Sequence, residues 1–130
     1  MTDDGRMQVL REVLDGFNRH DLEAIMSHFA EDCVFDSSRG PEPWGRRFTG
    51  KDEVRRGLGA LFESTPDVYF GDDSHFVSGD RGLSEWTITG TTEDGALDLR
   101  GCDLWTFGQD GKIVRKDSFM KRPTPPVDDR

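Results

Sequence analysis

The order of the chain predicts an α+β domain in which three helices precede an antiparallel meander. Two observations carry this expectation. Apolar residues recur at helical spacing in three segments before Pro66, and from Val68 onward they alternate at period two between turns that contain glycine.

Each element follows from local chemistry. Leu10, Val13, Leu14 and Phe17 obey the i, i+3, i+4, i+7 rule, which predicts an amphipathic helix over about 6–18. Asp21 is placed as an N-cap, and Leu22, Ile25, Met26 and Phe29 form the stripe of a second helix. Residues 33–36 read as a short strand, and 37–45, rich in Ser, Gly and Pro, as a loop. Val54, Leu58, Leu61 and Phe62 mark a third helix that Pro66 stops. Strands are expected at 68–70, 75–77, 83–92, 97–107 and 113–120. Asp94-Gly95 and Asp110-Gly111 are hairpin signals, because glycine takes the positive φ such turns need. Residues 1–5 and the proline-bearing 122–130 are expected to be disordered, which leaves 6–121 as one domain.

Composition narrows the function classes. Only 33% of the 130 residues are apolar, so nine Phe and three Trp must supply much of the core volume. A net charge of −9, with basic residues no more clustered than Arg46-Arg47 and Arg55-Arg56, argues against nucleic acid and anionic membrane as partners. No apolar run approaches a membrane span, and the acidic start Met1-Thr2-Asp3-Asp4-Gly5 is unlike a secretory signal. Cys33 and Cys102 make neither a disulfide framework nor a zinc site, and no His or Cys spacing holds a metal. A cytoplasmic location is the expectation.

Several motifs together resemble the nuclear-transport-factor-2-like superfamily, in its ketosteroid-isomerase and SnoaL-like polyketide-cyclase branch. They are Phe17-Asn18-Arg19-His20-Asp21, Phe29-Ala30-Glu31-Asp32-Cys33-Val34-Phe35-Asp36, Phe48-Thr49-Gly50, and Gly101-Cys102-Asp103-Leu104-Trp105-Thr106-Phe107 followed by Asp110-Gly111-Lys112-Ile113-Val114. The resemblance spans about 6–121 and implies a cone, a curved antiparallel sheet packed on the three N-terminal helices, with a deep apolar pocket. It also implies a homodimer. It does not fix the activity, because the superfamily hosts several chemistries and proteins without known catalysis.

By the resemblance, Asp36 occupies the position of the isomerases' general base; the residues alone also permit a strand-end aspartate capping the Ser37-Ser38 turn. Asp103 falls where those enzymes keep a neutral acid that donates to an oxyanion, a case the physical chemistry of carboxyls in apolar sites explains. Alternation independently puts Asp103 on an apolar face with Leu99, Gly101, Trp105 and Phe107, where a carboxyl must be paired, protonated or functional. The helix-one tyrosine of the isomerases is replaced by Val13, and the only tyrosine is Tyr69. In register, Lys116, Ser118 and Met120 face the pocket, unless a bulge turns Lys116 out and Asp117 in. Lys116 is then a salt-bridge partner, an oxyanion stabiliser or an amine nucleophile. Trp44, Phe70, Trp86, Trp105, Ser118, Phe119 and Met120 are expected to contact ligand, with Trp44 on a loop suited to a lid. His28 is placed on helix two and partly buried, His20 in solvent, and His75 towards the pocket without a local partner.

These residues point to a cofactor-independent, bacterial-type enzyme moving a proton on a hydrophobic carbonyl compound, by isomerisation or aldol-type cyclisation. Asp36 acts as base, and Asp103, with or without Lys116, stabilises the enolate. The alternative from another class is a non-catalytic ligand-binding or dimerisation module. An epoxide-hydrolase-like activity is weaker, because Gly101 stands where that chemistry needs a polar partner two residues before Asp103.

Overall fold

A computed structural model describes residues 1–124. Helix α1 runs Asp3–Asn18, α2 Leu22–Met26 and α3 Lys51–Ser64. The strands are β1 Phe29–Asp36, β2 Arg47–Thr49, β3 Tyr69–Ser78, β4 Arg81–Thr92, β5 Gly95–Phe107 and β6 Ile113–Met120. They form one sheet in the order β2-β1-β6-β5-β4-β3. All pairs are antiparallel except β1 with β6, which run parallel, a departure from the all-antiparallel expectation. The parallel pair arises because β1 enters the sheet from the helical half and leaves through the loop to β2 and α3.

The N-terminal residues correct an expectation. Far from being disordered, Asp3 opens α1, with the Thr2 hydroxyl accepting from Gly5 N at 3.0 Å and two aspartates in the first turn. That is an N-cap with charges of the favourable sign for the helix dipole. The expected disorder of 122–130 falls, from 125 onward, outside the described residues. Asp21 does cap α2, accepting from Ala24 N at 3.1 Å, but α2 ends at Met26. Phe29 therefore belongs to β1, not to the helix, and His28 sits in the intervening turn. There it meets Glu12 at 3.2 Å, and burial lowers its pKa. His20 is exposed, as expected, and also adopts φ 56°, bonds Val68 O at 2.8 Å and stacks on Phe62.

Two predicted strands merge. Residues 69–70 and 75–77 are parts of β3, with Val68 just before it; the strand carries a register shift between Gly71 and Ser74 and a left-handed Asp72. Such a bulge bends a strand and resets its side chains. The three-residue β2 has too little alternation to be visible in the sequence.

The core lies between the helices and one face of this sheet. Val9, Leu10, Val13, Leu14 and Phe17 of α1 and Val54 and Leu58 of α3 are buried against Phe70, Trp86, Ile88, Trp105 and Phe107. Asn18 ties the end of α1 to β3: its side chain accepts from Phe70 N at 2.7 Å and donates to Phe70 O at 2.9 Å. The helices therefore cover an inner face, and the register decides which side chains look into it.

Candidate functional site

One register level crosses four strands with polar residues. His75 on β3 lies opposite Ser84 on β4, Ser84 opposite Asp103 on β5, and Asp103 opposite Ser118 on β6. Because facing residues of paired strands share a face, all four point towards α1. The next level supplies Trp105 opposite Lys116. The level on the other side supplies Trp86 opposite Gly101, which lies opposite Met120.

Asp103 gathers three donors. Its Oδ1 accepts from Lys116 Nζ at 2.9 Å and Ser118 Oγ at 2.6 Å, and its Oδ2 from Trp86 Nε1 at 2.9 Å. Lys116 and Asp103 are only 6% and 5% exposed. The Lys116 ammonium also lies over the rings of Phe35, Phe17 and Trp105, at 4.7, 5.6 and 5.6 Å from their centroids. This is an ion pair desolvated by aromatic faces and completed by a hydroxyl and an indole. The ionic alternative for Asp103 is thus the one realised. The neutral oxyanion donor implied by the resemblance does not fit a group on which every hydrogen bond is received. Register also settles β6: Lys116 and Ser118 face inward and Asp117 outward.

Beside this pair, Ser84 Oγ accepts from Trp105 Nε1 at 2.9 Å and lies 2.8 Å from His75 Nδ1. His75 Nε2 in turn lies 3.0 Å from Asp73 Oδ2. The expectation that His75 lacks a local partner is corrected: Asp73 lies two residues away, and Ser84 reaches the ring across strands. A cavity of about 10 Å³ is enclosed by Leu10, Val13, Leu14, Phe17, Phe70, Ser84, Asp103, Trp105 and Lys116. That volume takes one water. Val13, standing where the isomerases carry their tyrosine, does reach this cavity.

Asp36 is elsewhere. Phe35 pairs with Lys116 and Asp36 with Asp117, so Asp36 looks out of the opposite face of the sheet. Its carboxylate is fully buried there under two arginines, with Arg47 Nε and Nη2 at 2.7 and 3.1 Å and an Arg115 Nη2 at 2.7 Å. The expected pairing of Asp36 with Asp103 in one pocket is corrected accordingly: strand parity puts the two carboxylates on opposite faces of the sheet. Burial raises the pKa of neighbouring Asp117 despite Arg115, 3.5 Å away.

The aromatic expectations divide in the same way. Phe70 and Trp105 line the inner cavity, whereas Trp86 is buried outside its lining and donates to Asp103. Gly101 makes room for that indole: a Cβ there would meet Trp86 ring carbons at 2.6 Å and Phe119 O at 2.5 Å. Trp44 and Phe119 instead line an open groove of about 400 Å³ with Asp117, Ser118 and Met120. Trp44 is 45% exposed, with the Arg47 guanidinium 5.2 Å from its ring. A wider groove of about 890 Å³ lies past Trp86, where Ile88, Leu97, Leu99 and Met120 meet Leu61 of α3. Cys33 and Cys102 are free, and burial raises both thiols. Among the described residues no group of three His, Cys, Asp or Glu side chains is placed to hold a metal ion, and no helix is long and apolar enough to cross a membrane.

Solved structures share this architecture. A candidate polyketide cyclase from Xanthomonas campestris pv. campestris is 21% identical, covers 90% of each chain and superposes with a TM-score of 0.79. An NTF2-like protein of unknown function from Mesorhizobium loti is 29% identical over 92% of this chain and 93% of its own, with a TM-score of 0.77. TerC, crystallised with polyporic acid, is 20% identical over 90% and 92% of the two chains, with a TM-score of 0.74. No curated protein matches. The fold is thus the α+β NTF2-like one, with N-terminal helices on a curved, mostly antiparallel sheet. The profile of the SnoaL-like domain matches residues 10–116, and the chain belongs to that family.

Proposed function

We propose that this protein is a cofactor-independent enzyme that moves a proton on a hydrophobic carbonyl compound, with Lys116 and Asp103 as the reacting pair. The observation that carries the reading is a Lys-Asp pair, both more than nine-tenths buried, facing an apolar cavity beside a hydroxyl. Lys116 Nζ donates to the carbonyl oxygen and stabilises the enolate, which a preorganised cation does best where water is excluded. Asp103, released from Lys116 as the ammonium turns to the substrate, takes the α-proton. Isomerisation and aldol-type cyclisation both begin with this step. Binding of polyporic acid by TerC, a relative in fold, is consistent with a carbonyl-bearing aromatic or polyketide-like ligand.

A specific observation favours a second reading, a non-catalytic ligand-binding or dimerisation module. Both members of the pair are hydrogen-bonded within the protein, and the cavity beside them is about 10 Å³, so a substrate enters only if the side chains lining it move. One experiment separates the two. A panel of β,γ-unsaturated ketones and polyketide-like β-keto esters is assayed with the wild type, Lys116→Met and Asp103→Asn. The enzyme reading expects kcat/KM to fall about 10²-fold or more in each variant. Turnover undiminished in both variants overturns it, and quenching of Trp fluorescence by the same compounds without turnover supports the module. The chain is further proposed to be a homodimer through the outer sheet face, where Leu83, Cys102 and Leu104 are half-buried and Phe119 is exposed. A monomer mass by light scattering at micromolar concentration contradicts this.

A further inference from the structure

We propose that Ser84, His75 and Asp73 form a proton relay between the inner cavity and solvent. Its use by the protein rests on the proton-transfer reading above; its existence does not. The cavity beside Asp103 and Lys116 is about 10 Å³ and lined on its helical side by Leu10, Val13, Leu14 and Phe17, so bulk water does not fill it. Ser118 links the pair towards the open groove on one side, and a hydrogen-bonded path runs out on the other. Ser84 lines the cavity and is 2% exposed, the His75 side chain is 5% exposed, and the Asp73 side chain is 44% exposed. The three thus step from interior to surface over links of 2.8 and 3.0 Å.

Donor and acceptor roles along the path follow from Asp73. A carboxylate only accepts, so the neutral ring carries its hydrogen on Nε2, aimed at Asp73. Nδ1 is then an acceptor, and Ser84 Oγ donates its single hydrogen to it. Ser84 Oγ in turn accepts from the Trp105 indole N–H. Every link is therefore polarised in one direction, from the cavity to the surface. A proton arriving at Ser84 Oγ passes the hydroxyl hydrogen to Nδ1, and the Nε2 hydrogen passes to Asp73, which exchanges it with water. Traffic in the opposite direction restores the starting tautomer, and no other co-reactant is consumed. Ser84 and Lys116 line the same cavity, whose volume suits one water, and the relay requires a water there to connect them.

The backbone reinforces this arrangement. Ser84 and His75 are direct cross-strand partners, so their contact is set by register and not by a flexible reach. The β3 irregularity between Gly71 and Ser74, with Asp72 left-handed, falls at the point where Asp73 must lie beside the ring. Bulges commonly re-aim a side chain at a functional position.

The test compares 15N-labelled wild type with His75→Gln. A glutamine amide can accept from Ser84 and donate to Asp73, so it preserves the contacts but cannot relay a proton. Two readouts are taken. Imidazole 15N shifts in the wild type are expected to place the hydrogen on Nε2. Exchange of the Lys116 ammonium hydrogens with solvent is expected to be at least tenfold slower in His75→Gln. If that variant does not fold, Asp73→Asn, which alters only the exposed end of the path, is measured with the same expectation. A hydrogen on Nδ1, or equal exchange rates in wild type and variant, overturns the relay. Slowed exchange together with no turnover of any carbonyl probe retires the enzyme reading and keeps the relay. Turnover with equal exchange does the reverse.

Discussion

Replacing Lys116 by Met tests whether the inner-face ion pair is as desolvated as its burial implies. Methionine keeps much of the unbranched apolar body, so the change removes a charge and two hydrogen bonds while opening little space. Asp103 is then left with Ser118 and Trp86 alone. Breaking a buried pair by removing one partner costs about 3–5 kcal/mol, whereas an exposed pair is worth at most about 1 kcal/mol. Asp103→Leu strands the ammonium instead, but the three aromatic faces around Nζ offset roughly 1–2 kcal/mol of that penalty. The double variant Lys116→Met/Asp103→Leu removes both charges and should lie within about 2 kcal/mol of the wild type, since apolar replacement of a buried pair is often neutral. The assay is urea unfolding of all four proteins at pH 7, read by Trp fluorescence. In a parallel thermal scan, at roughly 3–5 °C per kcal/mol for a chain of this length, the Lys116→Met melting point should fall by about 9–25 °C. A single-variant cost below about 1 kcal/mol, or a double variant no better than the sum of the singles, refutes the buried-pair account.

Other substitutions probe the surrounding frame. Gly101→Ala places a Cβ 2.5 Å from Phe119 O, a backbone atom that cannot yield, and 2.6 Å from the Trp86 ring. It should destabilise by about 1–3 kcal/mol or more and change the near-ultraviolet circular dichroism of Trp86. Asn18→Ala removes both hydrogen bonds to Phe70 and should cost about 1–3 kcal/mol in urea unfolding. Burial raises Asp117, so the folded chain holds that proton above the pH, about 3.9, at which the unfolded chain releases it. Its contribution to stability is full below the unfolded value and falls as pH rises through the folded one. Asp117→Asn should therefore gain on the wild type as pH rises from about 4 to neutrality, with the two curves converging near pH 3. Urea midpoints at several pH values check this.

The legible parts of the sequence were those in which a local pattern has one physical solution. The 3.6-residue stripe of α1, the capping Asp21 and the glycine turns before β5 and β6 each appear as their chemistry dictates. The inward parity of Asp103, Lys116 and Ser118 followed from alternation on two adjacent strands. Asp36 misled because parity was not carried across to β6: the parallel pairing that aligns Asp36 with Asp117 has no local signal. Phe29 misled for a related reason, since an apolar residue one turn past Met26 fits either a helix stripe or the first position of a strand. His75 was noticed but left unpaired. The clue to its partner lay in the β3–β4 turn, whose register carries Ser84 opposite it, together with a serine flanked by alternating Leu83, Glu85 and Trp86. Small differences in turn length move such a partner by a residue, and a shift of one residue changes the face.

A chain with so few apolar residues fills its interior by making polar residues satisfy one another. His75, Ser84, Asp103 and Ser118 come from four separate strands, and antiparallel register sets them opposite one another; His75 bonds Ser84 and Ser118 bonds Asp103. Among the described residues, the buried side-chain polar atoms without a partner are Arg6 Nε and Arg115 Nε, neither of which belongs to this row. The row is therefore compatible with a stable core, where an unpaired member would not be. The same connectivity constrains change. Asp103 is held at once by Lys116, Ser118 and Trp86, and Ser84 by both Trp105 and His75. Lys116 uses two of its three ammonium hydrogens on Asp103 and Ser118, and its other neighbours are aromatic faces. A ligand carbonyl can therefore take the third hydrogen without breaking the row, and its affinity is set by that bond against the cost of opening the cavity.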